Sequence, residues 1–223
     1  MPPVVHFATL QFSPRKGEYA SNLARLGALF AQLDALDPRP DLLQLPETAL
    51  SGYFLEGGVR DAAMTAGAFA ADLQRAYIAN AKSARPLEVI AGFYEIWRNT
   101  IYNSAMAVRL GGEQPLVRHV HRKNFLPTYG MFDEERFVER GQELRAFDLP
   151  MGRAASVPVT ECHASSHTSI AARPIGRSNA RSSWPRSTKR SSSNIPYVGR
   201  KFLRCTWRTR GLSPPSRTAI ALL

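Results

Sequence analysis

Four things are scarce in this chain, and each scarcity removes a class of protein. Cysteine occurs only at Cys162 and Cys205, too few for a disulfide framework and silent on redox compartment. No apolar run approaches the roughly 20 residues of a membrane span, and Met1-Pro2-Pro3 begins no basic-then-apolar signal, so a cytoplasmic protein without membrane contact is expected. Neither a glycine-rich phosphate loop nor an internal repeat is present. Acidic residues are nearly missing from the last third, where Glu161 stands alone against 13 Lys and Arg.

The net charge of +11 over 223 residues is therefore uneven. Residues 1–150 hold 16 Lys and Arg against 17 Asp and Glu, a net −1, so residues 151–223 carry +12. Serine shifts in the same direction, with 5 in the first 150 residues and 13 afterwards. The length suits one domain of ordinary size. The change of character near Ala155 divides it into residues 1–155, with globular patterning, and a basic Arg/Ser/Pro-rich segment, 156–223.

In the first part, apolar periodicity alternates between strand and helix. Residues 4–12 form a short apolar run suited to a buried strand. Leu23, Leu26, Leu29, Phe30, Leu33 and Leu36 recur at three- and four-residue steps, predicting an amphipathic helix over 18–36 that Pro38 and Pro40 stop. A second strand, 41–45, leads into Pro46-Glu47-Thr48-Ala49-Leu50-Ser51-Gly52-Tyr53. A second helix is predicted over 61–81, then strands over 87–93, 100–109 and 115–120. This order gives an α/β protein with helices on one face of a mixed sheet.

Two positions carry chemistry in that frame. Glu47 follows an apolar strand end, where open α/β sheets place ligands, and burial would raise its pKa toward that of a useful general base. Capping of a following helical turn explains an acid there equally well. Lys123 sits at the end of the fifth strand, at the head of a loop (124–137) that mixes cations, carboxylates, aromatics, Pro127 and Gly130 without periodicity. Such a lysine either aims a charge into a cleft or is a solvated strand end.

Taken together, Leu45-Pro46-Glu47-Thr48-Ala49-Leu50-Ser51-Gly52-Tyr53, Ile90-Ala91-Gly92-Phe93, Tyr102-Asn103-Ser104-Ala105 and His121-Arg122-Lys123 resemble the nitrilase superfamily of carbon–nitrogen hydrolases. The stretch from Lys123 to Glu135 is most similar to the glutamine amidase domain of glutamine-dependent NAD synthetases and its free-standing amidase relatives. The resemblance spans residues 3 to about 155. It implies a nitrilase-like αββα sandwich, a Glu-Lys-Cys triad and a thioester acyl-enzyme on a small-molecule amide, without metal or organic cofactor. Glu47 then matches the general base and Lys123 the cation beside the oxyanion, while Tyr129 and Glu134 fall in the substrate-holding loop. A homo-oligomer and a synthetase partner in NAD biosynthesis are further implications.

The nucleophile departs from that pattern. Cys162 lies at about the expected distance from Lys123, yet Pro158 interrupts the strand before it, and Glu161 precedes the cysteine where the family has an acid after it. Beyond 155 hydrophobic periodicity is lost. When the third base of each codon is read with the first two of the next, residues 203–209 can become Ala-Leu-Tyr-Val-Glu-Asn, text expected of a late family strand. Residues after about 155 are therefore expected to be frame-shifted translation, the sandwich being incomplete or disordered there and the chain poorly soluble. The same shift restores no Cys-Glu pair near 157–165. Alternatives are a catalytically dead binding protein on the same fold, and nucleic-acid binding through the basic segment, which the frame-shift explanation makes the weaker one. Zinc at Cys162, His163, His167 and Cys205 fits no standard spacing.

Overall fold

The computed structural model describes residues 5–53, 55–83, 85–126, 134–157, 169–173 and 202–207. The first strand, β1 (Val5–Leu10), leads to α1 (Tyr19–Leu33) and then to the short β2 (Leu42–Gln44). One helical turn, α2 (Val59–Ala62), precedes α3 (Ala66–Asn80). Three long strands follow: β3 (Leu87–Trp97), β4 (Thr100–Leu110) and β5 (Leu116–Arg122). Next come β6 (Ala146–Leu149), β7 (Gly152–Val157), β8 (Ser169–Arg173) and β9 (Phe202–Trp207).

These strands form a six-stranded sheet in the order β5-β4-β3-β2-β1-β9 and a three-stranded sheet in the order β6-β7-β8. β1, β2 and β3 run parallel, as helical crossovers require. β4 and β5 continue the sheet antiparallel, and β9 closes the β1 edge, with Cys205 opposite Phe7. The large sheet is thus mixed, as the sequence predicts.

Alternation along the strands sorts side chains between two cores. Leu87, Val89, Ala91 and Phe93 of β3 join Leu26, Leu29, Phe30 and Leu33 of α1 and Phe69, Leu73 and Tyr77 of α3 in the helix-side cluster. The stripe anticipated for the first helix is the face that α1 buries. Each such side chain removed from water contributes about 1.5–3 kcal/mol before chain entropy is set against it. On the opposite face Phe7, Leu42, Ile90 and Ala107 pack against Phe147, Leu149 and Ala154 of β6 and β7. Helix, sheet and second sheet make three successive layers of a nitrilase-like α/β sandwich.

Two elements differ from expectation. The single helix predicted over 61–81 is broken, because Met64 pairs with Glu95 as an isolated bridge and Thr65 caps α3, its Oγ1 accepting from the Ala68 N–H at 3.2 Å. β3 runs past its predicted end at Phe93 to Trp97 and joins β4, which starts at Thr100 as predicted, through a hairpin whose two turn residues, Arg98 and Asn99, are both left-handed, at φ 47° and 63°. That is the backbone a two-residue hairpin turn demands. The segment 156–223 contributes β8, β9 and the end of β7 among the described residues.

Candidate active site

The site lies at one end of the large sheet, where the parallel-running β2 and β5 both terminate. Beyond β2 the chain keeps its hold on β3: the Gly92 N–H donates to the Pro46 carbonyl at 3.4 Å and the Ala49 N–H to the Gly92 carbonyl at 3.2 Å. A Cβ on Gly92 would lie 2.7 Å from both the Glu47 Cα and the Thr48 nitrogen, so only glycine lets this segment lie across β3. Thr48 is left-handed at φ 46°, a strained conformation for a β-branched residue. Asn22 of α1 anchors the far end of the segment, its Nδ2 donating to the Leu50 carbonyl at 2.8 Å.

This crossing solves a problem of reach. β2 and β5 are three strand spacings apart, about 14 Å at the usual interstrand distance. By stepping over β3, Glu47 meets Lys123, whose Nζ donates to Glu47 Oε1 at 2.9 Å. Asn103 of β4 donates to the same oxygen from Nδ2 at 2.6 Å. Its backbone carbonyl accepts from the Lys123 N–H at 2.8 Å. Lys123 Nζ also donates to both carboxylate oxygens of Glu134, at 3.1 and 3.0 Å. The three side chains are only 11–24% exposed, so these contacts form largely out of water and are weakly screened.

One cation thus faces two carboxylates. Burial, followed by the nearby charge of Glu47, pushes Glu134 from 4.5 up to about 8. Burial and the Glu47 charge also raise the Tyr94 hydroxyl above its ordinary value. Next to the site, Arg122 forms a bidentate pair with the buried Glu95 at 2.8 and 2.7 Å, and Ser104 donates to the same carboxylate at 2.8 Å. Arg122 lies over the Trp97 ring, 3.8 Å from its centroid. The end of β5 is thereby held from its other face, and Gly141 lies so close to the Arg122 carbonyl that a Cβ there would be 2.2 Å from its oxygen.

The structure brings together Glu47, Lys123 and Glu134 from the sequence-predicted set. Glu134, expected in a substrate-holding loop, is placed against Lys123. Cys162 and Tyr129 lie outside the described residues. Asn103 was legible only as part of a motif, because nothing in a strand's alternation distinguishes an amide that faces a carboxylate. Among the described residues, no group of three or more His, Cys, Asp or Glu could hold a metal ion. No helix among them is long and apolar enough to cross a membrane.

Similar proteins were found by sequence and by structure; no protein-family model matches the chain. A glutamine-dependent NAD(+) synthetase of Thermotoga maritima is 33% identical over 136 residues, 60% of this chain and 22% of that protein. That of Xylella fastidiosa is 33% identical over 140 residues, 62% of this chain and 24% of the other. The chain spans about a quarter of the length of the curated relatives it matches. Among solved structures, a glutamine-dependent NAD+ synthetase of Acinetobacter baumannii superposes with TM-score 0.52 at 26% identity, over 68% of this chain and 27% of that one. A CN-hydrolase superfamily protein of Xanthomonas campestris gives 0.54 at 18%, over 68% and 51%. Saccharomyces cerevisiae Nit3, a nitrilase-superfamily member, gives 0.52 at 18%, over 67% and 53%. The fold is that of the nitrilase superfamily. In this nitrilase-like frame the described residues supply a cation, two carboxylates and an amide converging at one end of the sheet.

Proposed function

We propose that this chain is a carbon–nitrogen hydrolase of the amidase or glutaminase type, acting through Glu47, Lys123 and Cys162. The observation that carries this reading is the 2.9 Å contact between Glu47 and Lys123, two residues 76 positions apart that meet beyond the ends of β2 and β5. The similarity to glutamine-dependent NAD synthetases supports glutamine as the substrate to test first.

The chemistry accounts for each residue type. Glu47 takes the proton of the Cys162 thiol, and the thiolate forms a C–S bond to the amide carbonyl carbon. The carbonyl electron pair moves onto oxygen, where the positive charge of Lys123 stabilises it. Collapse of this intermediate breaks the C–N bond, and the amine leaves as ammonia with the proton held by Glu47. Water then adds to the thioester, returning the thiol and releasing the acid. Tyr129 and Glu134 are assigned to the substrate-holding loop, and the Glu134 carboxyl also accepts from Lys123 Nζ. In a longer or associated protein, the ammonia would be consumed by a synthetase partner.

Ammonia release from glutamine and short aliphatic amides by the purified full chain tests the assignment. Glu47→Ala and Lys123→Ala are each expected to lower kcat at least a thousandfold, and Cys162→Ala to abolish turnover. Full activity in Cys162→Ala would exclude that cysteine as nucleophile. Absence of ammonia from every amide tried would leave a binding protein on the same fold.

A further inference from the structure

Glu47 presents two carboxylate oxygens, and their surroundings differ. Oε1 receives two donors, Asn103 Nδ2 at 2.6 Å and Lys123 Nζ at 2.9 Å, whereas no described residue donates to Oε2. Asn103 is 3% exposed and stands in the middle of the cluster, opposite Tyr94 in the β3–β4 register. Its side chain grips Glu47 while its backbone carbonyl accepts from the Lys123 N–H. One residue therefore ties the acid and the base of the pair into a common frame.

We propose that Asn103 is a positioning residue that engages Glu47 Oε1 and leaves Oε2 as the oxygen that takes the proton. An sp² carboxylate oxygen has two lone-pair directions, and two charge-assisted donors occupy both on Oε1. The remaining basic lone pairs are on Oε2, whose direction is then set by the Asn103 amide. Lys123 alone does not fix this orientation, because its Nζ sits on a flexible stem and is shared with Glu134. The planar amide, mounted on the stiff β4 backbone, supplies the missing constraint. An aspartate at this position would place a further anion against Glu47 and remove the donor.

The inference rests on Glu47 being the proton acceptor, so two readouts separate its failure from the failure of that reading. With the full chain hydrolysing an amide, Asn103→Leu, close in shape but without a donor, should lower kcat roughly a hundredfold, as expected of a base misplaced by about 1 Å. KM should stay within about twofold, and the acidic limb of the kcat/KM profile should move to higher pH. Unchanged kcat and an unchanged profile in Asn103→Leu would overturn the proposal. Should the wild-type chain hydrolyse no amide, the hydrolase reading fails and the side-chain amide signals of Asn103 in a ¹⁵N spectrum decide the contact. Assigned by their loss in Asn103→Leu, they should shift strongly in Glu47→Ala; signals that stay in place would overturn the Asn103 contact. Asn103→Ala, which also lacks a donor, provides the same comparison if the leucine variant does not fold.

Discussion

Glu134 sits between opposing influences: Lys123 Nζ touches both its oxygens, while burial and the charge of Glu47 push its ionisation from 4.5 up to about 8. Between those values the folded chain keeps a proton that the unfolded chain has released. Folding stability therefore falls as pH rises through that window and levels off above it. His121 works in the other direction. Burial first, then neighbouring His119, hold it down at about 4, so its contribution is lost only as pH falls below 6.5. Measured from pH 6.5 to 8, the slope belongs to the carboxyl. Urea midpoints of the full chain are expected to decline across that interval and to decline less in Glu134→Gln. An equal slope in the variant would remove Glu134 as its source. Arg122 and Glu95 make a second test, because Glu95 is 1% exposed. Arg122→Leu leaves its charge buried without the bidentate partner, and a loss of about 3–5 kcal/mol is expected from denaturation curves.

At the scale of elements, the site depends on the short connection after β2. Its residues were readable as a strand end followed by a turn, and Glu47 as an acid at a place where either catalysis or capping would explain it. What periodicity could not reveal is that the connection lies against Gly92 of β3 on its way to the helix layer, where Ala49 and Leu50 pack and Asn22 of α1 holds the Leu50 carbonyl. Gly92 reads as an ordinary small residue in an apolar strand, yet the space above its Cα is filled by the backbone of Glu47 and Thr48. Gly92→Ala is accordingly expected to cost on the order of 1–3 kcal/mol, as overpacking against backbone does, and to displace Glu47 from Lys123. Circular dichroism melts and amide turnover check the two effects. A variant with wild-type stability and activity would show that the crossing has room to adjust. The broken second helix follows the same logic. Its apolar spacing is continuous enough to suggest one element, but pairing of Met64 with the Glu95 strand ends the first turn and Thr65 starts the next.

At the scale of the whole molecule, the large sheet is a sum of near and distant pairings. β3, β4 and β5 are neighbours in sequence and were predictable as consecutive strands. β9 joins β1 from almost two hundred residues away, with Val5 opposite Trp207 and Leu10 opposite Phe202. No local pattern announces that contact, since composition after residue 155 points away from a core strand. Truncation after Val157 removes β9 and leaves β1 an unpaired edge, the configuration most prone to intermolecular pairing. The truncated chain is expected to show faster hydrogen exchange in those β1 amides that β9 pairs, and greater aggregation than the full chain. Equal protection of β1 in both would mean that the β1–β9 ladder contributes nothing to order.

Residues 1–155 determined by themselves the alternation of strands and helices, the buried face of α1, and the presence of an acid and a lysine at two strand ends. These follow from local stereochemistry, because periods of 2 and 3.6 residues report which side of an element is dry. The meeting of Glu47 with Lys123, the second grip of Asn103 on the same oxygen, and the placement of Glu134 against the cation were decided only by tertiary structure. They depend on the order β5-β4-β3-β2, on a glycine thin enough to be crossed, and on side-chain reach across about 14 Å of sheet. Each is a relation between segments, fixed when the sheet assembles.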